Sequence, residues 1–237
     1  MTRQEKINRI KAYLVKRRGF CVSNFEQAQN VILERDGNFF FEVAQFGGAA
    51  VIKADRAILQ WCKEKFGDVA GLEISDGDTL PMLQRKLHEH SEVIMGQDLY
   101  FAWLDEGIAV KKPEGVELEM YEKDKLHELY ERTDKMFPYA LDYDDRPEEF
   151  ALVARKAEKI IGVATCYKCT IGLDVLADFR GLGLASYLAK EIALEIEKRG
   201  DVPVYITWSD NISSMRVALN AGFVPVGSWY CTEYRGS

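Results

Sequence analysis

The sequence predicts an α/β fold, a mixed sheet flanked by helices, and three observations carry that reading. Apolar residues make up 47% of the 237 and charged ones 29%, enough to bury a substantial core. Segments with helical spacing alternate with short β-branched and aromatic runs. Around residues 173–199 a strand passes through a glycine turn into the longest helical pattern in the chain, a unit found where sheets and helices are layered.

Ile7, Ile10 and Leu14 recur at intervals of three and four, which predicts an amphipathic helix ending near Gly19. Residues 39–45 predict a strand, Gly47-Gly48 a turn, and 49–53 a second strand, hence a hairpin. Asp55 caps a helix running through Trp61 to about Phe66 and stopped by Gly67; another follows Asp78, with Pro81 in its first turn. Residues 99–104 read as a strand closing this half. Lys111-Lys112-Pro113-Glu114-Gly115 is the best punctuation in the middle of the chain, so a boundary is placed there, giving domains 1–112 and 113–237.

The second half opens with a strand at 116–120 and a polar-faced helix at 123–135 with Leu126, Leu129 and Tyr130 inward. Strands follow at 150–154, 160–166 and 169–175. The long helix spans 183–199, with Ala185, Leu188, Ile192 and Ile196 as its core stripe and Gly200 as its C-terminal cap. A strand at 202–207, a helix at 212–221 and two last strands at 223–226 and 229–233 complete the chain.

Lys and Arg total 31 against 38 Asp and Glu, a net charge of −7, which argues against wholesale binding to nucleic acid or an anionic membrane. No stretch reaches the roughly 18 apolar residues of a membrane span, and the N-terminus has no signal-peptide core, so a cytoplasmic protein is expected. Five cysteines, an odd and sparse set, predict reduced thiols. Cys166-Tyr-Lys-Cys169 has metal-knuckle spacing but no second pair, and His88, His90 and His127 diverge, so no metal is expected. Residues 1–18 hold seven Lys/Arg against one Glu, read as a solvated helix face. The carboxylates of 142–149 read as an acidic loop, with concentration of a cationic amine as the functional alternative.

The chemistry resides in 173–185. The first turn of a helix has N–H groups without intrahelical acceptors and the positive end of the peptide dipole, so it holds an anion such as a diphosphate. Gly181 and Gly183 let backbone approach a phosphate, Ala185 is nearly as small, and Arg180 adds charge. The P-loop is excluded because no Lys-Ser/Thr follows a glycine, and G-x-G-x-x-G is incomplete because Ser186 replaces the third glycine.

Arg180-Gly-Leu-Gly183-Leu-Ala185 does match Arg/Gln-x-x-Gly-x-Gly/Ala. With Asn211-Ile-Ser-Ser214 and Asn220-Ala-Gly222-Phe223, and with the order of elements, the C-terminal half resembles the GCN5-related N-acetyltransferase (GNAT) superfamily. The resemblance implies a mostly antiparallel sheet with acetyl-CoA between the strand ending at Val175 and that of 202–207. The diphosphate would lie on Arg180, Gly181, Leu182, Gly183, Leu184, Ala185 and Ser186, and the pantetheine arm along Leu173 and Val175 with Asn211 facing it. Asn211 also has an intrinsic role as a cap accepting from the Ser214 N–H. The implied reaction is direct attack by a small-molecule amine on the thioester, with a backbone N–H near Val175 for the oxyanion.

The chain departs from the family's pattern in two places. Ala218 stands where many members carry a Tyr acid, and Cys169 and Ile171 stand where a Glu base is usual. Asp174 and Tyr230 are the proton-transfer candidates, with a bound backbone N–H and a core position as their respective structural alternatives. The alternative function is an acyl-CoA-binding module or sensor without transferase activity. The N-terminal half is expected to shape the acceptor side, or to be a degenerate copy of the same fold.

Overall fold

The computed structural model describes residues 2–69, 71, 77–104 and 107–234. It has ten strands and six α-helices among these: α1 Arg3–Arg17, β1 Val31–Glu34, β2 Phe41–Gln45, β3 Ala50–Ala54, α2 Arg56–Phe66, α3 Thr79–His88, β4 Ile94–Trp103, β5 Val116–Glu122, α4 Leu126–Thr133, β6 Phe150–Lys156, β7 Lys159–Tyr167, β8 Thr170–Val175, α5 Leu184–Lys198, β9 Val204–Trp208, α6 Ile212–Asn220 and β10 Phe223–Thr232. The α/β class read from the sequence is what the chain adopts. The last two expected strands are one continuous β10, with Pro225 and Gly227 accommodated within it. β1 escaped notice because its four residues, Val-Ile-Leu-Glu, are too few to show alternation.

Two compact units divide the chain. The first comprises the residues through Tyr100, Thr207–Asp210, and the chain from Pro225 onward; the second is Phe101–Ile206 with Asn211–Val224. The division after Tyr100 lies earlier than the expected boundary at 112/113. Residues 111–115 read as punctuation, but the second unit uses 108–114 to line a cleft described below.

In the first unit β1 pairs parallel to β3, β3 antiparallel to β2, and β2 antiparallel to β10 from Glu42 opposite Cys231 to Gln45 opposite Ser228. Thr2 caps α1 in a reciprocal capping box with Glu5, and α1 buries Ile10, Leu14 and Val15. Asp55 caps α2 as expected, and Ile58, Cys62 and Phe66 join Leu83 and Leu87 of α3 over Phe41, Val43 and Ile52. Beneath this unit's surface runs a polar chain. Arg18 stacks over Trp229 at 3.6 Å and bonds Asp98 at 2.7 Å, while the Trp229 indole donates to Glu42 Oε2 at 3.0 Å.

Burial pushes the Glu42 carboxyl above its ordinary range, against the pull of the Trp229 bond and of Lys53. Ionised Glu42 is therefore costlier in the folded than in the unfolded chain. As pH falls through its raised folded pKa, the folded state takes up a proton first, and stability rises until the ordinary value near 4.5 is approached. Glu42→Gln is expected to flatten the urea-midpoint profile between pH 7 and 5, leaving the part due to Asp98, which burial also raises.

In the second unit β5–β6–β7–β8 form an antiparallel meander. α5 lies on it through Leu184, Leu188, Ile192 and Ile196, so the stripe starts at Leu184 and Ala185 is only half-buried. Gly162 permits this approach, since a Cβ there would sit 2.9 Å from Leu188 Cδ1. On α4, Leu126, Leu129 and Tyr130 are buried with Phe137 and Leu141 against Ala151, Val153 and Val163.

Candidate cofactor site

β8 reaches the glycine turn through Leu176 and a short 3-10 turn, Ala177–Phe179. Gly181 has φ +77° and Gly183 φ +81°, left-handed values that glycine adopts at little cost. A Cβ on either would meet nothing within 4 Å, so the turn stands open where a ligand would approach. Gly183 is the N-cap of α5, and its carbonyl accepts the first helical bond, from Tyr187 N at 3.0 Å. The N–H groups of Leu184, Ala185 and Ser186 therefore precede any intrahelical acceptor. Such amides, with open backbone before them, fit a diphosphate.

Arg180 faces both ways. Its Nε donates to Val175 O at 2.9 Å and its Nη2 lies 3.5 Å from Asp174 Oδ1, yet its side chain is 62% exposed. The guanidinium thus staples the turn to the end of β8 while keeping surface toward solvent.

The edge of β8 follows from its pairing. Lys168 and Cys169, with φ 45° and 61°, form a two-residue turn closed by Tyr167 opposite Thr170. Hydrogen-bonded pairs then alternate, so Ile171, Leu173 and Val175 direct their backbone groups away from β7. On that side β8 and the parallel β9 are in register only at Thr170 opposite Val204, among the described residues, with Val204 N donating to Cys169 O at 2.9 Å. Beyond that point the two strands part.

Val175 is engaged on both groups, its carbonyl by Arg180 and its N–H by Asp174 Oδ1 at 2.8 Å. Leu173 is left presenting its N–H and C=O to the opening. Asp174 is 8% exposed, and its other oxygen lies 3.4 Å from Tyr139 N, so it joins the turn to the loop before Ala140. That loop rests on β8 at Gly172, where a Cβ would come within 2.5 Å of Thr165 Oγ1 and 2.9 Å of Ala140 O.

Asn211 caps α6, its Oδ1 accepting from Ser214 N at 3.0 Å, as the capping argument expects. Ser214 Oγ lies 3.0 Å from the hydroxyl of Tyr205 on β9, whose pKa burial raises. Ala218 is fully buried. Tyr205 was not singled out in the sequence, because an aromatic in a strand carries no sign of the helix it will touch.

Residues 117–223 match the Acetyltransferase (GNAT) family model. The segment is a GNAT acetyltransferase domain. Solved structures that resemble the chain include a GCN5-related N-acetyltransferase-like protein from Streptococcus suis, 18% identical over 68% of this chain and 69% of that one, TM-score 0.47. Another is a GCN5-related N-acetyltransferase from Sphaerobacter thermophilus, 15% identical over 68% and 58%, TM-score 0.48. A third, yncA from Salmonella typhimurium, solved with its cofactor acetyl-CoA, is 16% identical over 52% and 96%, TM-score 0.38. No curated protein sequence matches.

Within the GNAT domain the predicted residues of the turn, the β8 edge and the α6 cap all fall in one compact unit. Tyr230 falls in the other unit, on β10 opposite Val43, where it packs against the apolar cluster under α2 and α3. The acidic loop is partly consumed by its own folding. Asp142 Oδ1 accepts from Asp144 N and Asp145 N, and buried Glu148 accepts from Asp142 N at 2.7 Å and from the Tyr130 hydroxyl. Cys166 is buried, which pushes its thiol up to about 12, and Cys169 is a turn residue. Among the described residues no three His, Cys, Asp or Glu side chains converge to hold a metal, and no helix is long and apolar enough to cross a membrane.

A cleft of about 660 Å³ opens beside the turn, reaching Gly183, Leu184 and Ser186. The segment 108–114 lines it, and of this only 111–114 belongs to the stretch read as punctuation. Lysines belong to many loops, so nothing in the letters marks these for a site.

Proposed function

We propose that the GNAT domain binds acetyl-CoA and transfers its acetyl group to an amine of a small molecule by direct attack, in the cytoplasm and without a metal. The observation that carries this reading is the open turn at Gly181 and Gly183, with its unpaired amides at the start of α5, beside a β8 edge that has parted from β9. Acetyl-CoA supplies the thioester. The Leu184, Ala185 and Ser186 amides, with Arg180, Gly181, Leu182 and Gly183, hold its diphosphate. Leu173 and Val175 line its arm, Leu173 N–H being the amide available to a carbonyl oxygen. Asn211 and Ser214 border it from α6.

Asp174 acts here as a positioning residue. Its carboxylate is committed to Val175 N and Arg180, which fixes the turn relative to the strand. No proton-transfer role is assigned to Tyr230, given its packing.

The second reading, an acyl-CoA-binding module, is favoured by Ala218, which offers no acid, and by the engagement of Asp174. Calorimetric titration with acetyl-CoA, then thiol release across an amine library, separates the two. Transferase activity is expected to appear as acceptor-dependent CoA release. Binding with no such release for any amine selects the module, and no binding at all removes both.

A further inference from the structure

The cleft beside the turn has a chemistry of its own. Apolar walls come from Ile108, Val110 and Pro113 on the segment before β5, Phe179 and Leu182 on the turn, and Leu219 at the end of α6. Three lysines, Lys111, Lys112 and Lys156, line it against a single carboxylate, Glu114. Lys159 adds a fourth ammonium 5.4 Å from the centre of the Phe179 ring. In a chain of net charge −7 this local excess of cations is the reverse of the average surface. The segment is anchored, because Lys190 Nζ of α5 donates to Ile108 O.

Ammonium groups act as point-charge partners for phosphate, and flat apolar walls accept a planar base. The volume lies within the range of small-molecule sites, and the cleft is continuous with the proposed diphosphate seat, sharing Leu182, Gly183, Leu184 and Ser186 with it.

We infer that this cleft seats the adenosine end of the coenzyme, and that Lys111, Lys112 and Lys156 bind its phosphomonoester, so that the protein selects CoA over 3′-dephospho-CoA. The inference rests on the acetyl-CoA reading and goes beyond it. Residues that read as a domain boundary become a binding arm, and the choice of coenzyme form is set outside the glycine motif.

The test is calorimetric titration of the full chain with CoA and with 3′-dephospho-CoA, repeated on Lys111→Ala/Lys112→Ala. Both lysines are exposed, so the variant is expected to keep the circular dichroism and melting temperature of the parent. The parent is expected to prefer CoA by about tenfold, and the variant by less than about twofold, with its affinity for 3′-dephospho-CoA nearly unchanged. Lys156→Gln should give an intermediate preference. Equal affinities in the parent, or an undiminished preference in the folded variant, overturn the phosphate seat alone. Failure of both ligands to bind the parent overturns the acetyl-CoA reading and this inference with it.

Discussion

Gly183→Trp is expected to lower affinity for CoA by on the order of a hundredfold or more, about 2.8 kcal/mol, in a protein that still folds. The glycine caps α5 at φ +81°, and a Cβ there meets nothing within 4 Å, so an indole would project into the space proposed for the diphosphate. Backbone strain must be separated from bulk, since any L-residue at this φ costs roughly 1 kcal/mol. Gly183→Ala carries that strain without the ring, so it should lose about 1 kcal/mol of stability and only a few-fold in affinity. Calorimetry on both variants checks the expectation. If the Trp variant binds CoA as the parent does, the turn is not the diphosphate seat.

The largest effect on stability is expected at Glu148, outside that turn. This side chain is 3% exposed and serves two donors, the Tyr130 hydroxyl on α4 and Asp142 N in the connection from α4 to β6. The Tyr130 phenol is pushed far above its ordinary pKa by burial first and by this bond second, so it stays a donor at any working pH. Glu148→Ala removes both acceptors and leaves the donors in a site poor in water, at a cost of about 3 kcal/mol. For a chain of this size that corresponds to a fall of roughly 6–12 °C in melting temperature. Glu148→Gln keeps one acceptor and should lose less than half as much. A thermal melt of the Ala variant within about 1 °C of the parent would show that the carboxylate organises nothing.

Much of the glycine turn was legible because its requirements are backbone requirements. A left-handed pair of positions demands glycine, and a helix start demands a particular order of small residues, so Gly181, Gly183 and the α5 boundary could be read directly. Asn211 was legible for the same reason, since capping is a local contact over three residues. What escaped depends on residues far apart in the chain. The engagement of Asp174 joins positions 139, 174 and 180, and the lysine cleft joins 111, 112 and 156 to a turn near 183. Neither spacing is periodic, so neither leaves a pattern in the letters. The two-unit division was hidden likewise, because membership is decided by strand partners rather than by composition.

β10 has a consequence for biosynthesis. From Pro225 on it belongs to the unit otherwise made almost entirely of the first hundred residues, where it covers the edge of β2. On the ribosome, the earlier-made part of that unit must wait with a β edge bare until residues 225–232 have been made. The GNAT core, although made later, has every strand of its β5–β8 meander to hand first. Order of synthesis and order of completion are therefore reversed in this chain.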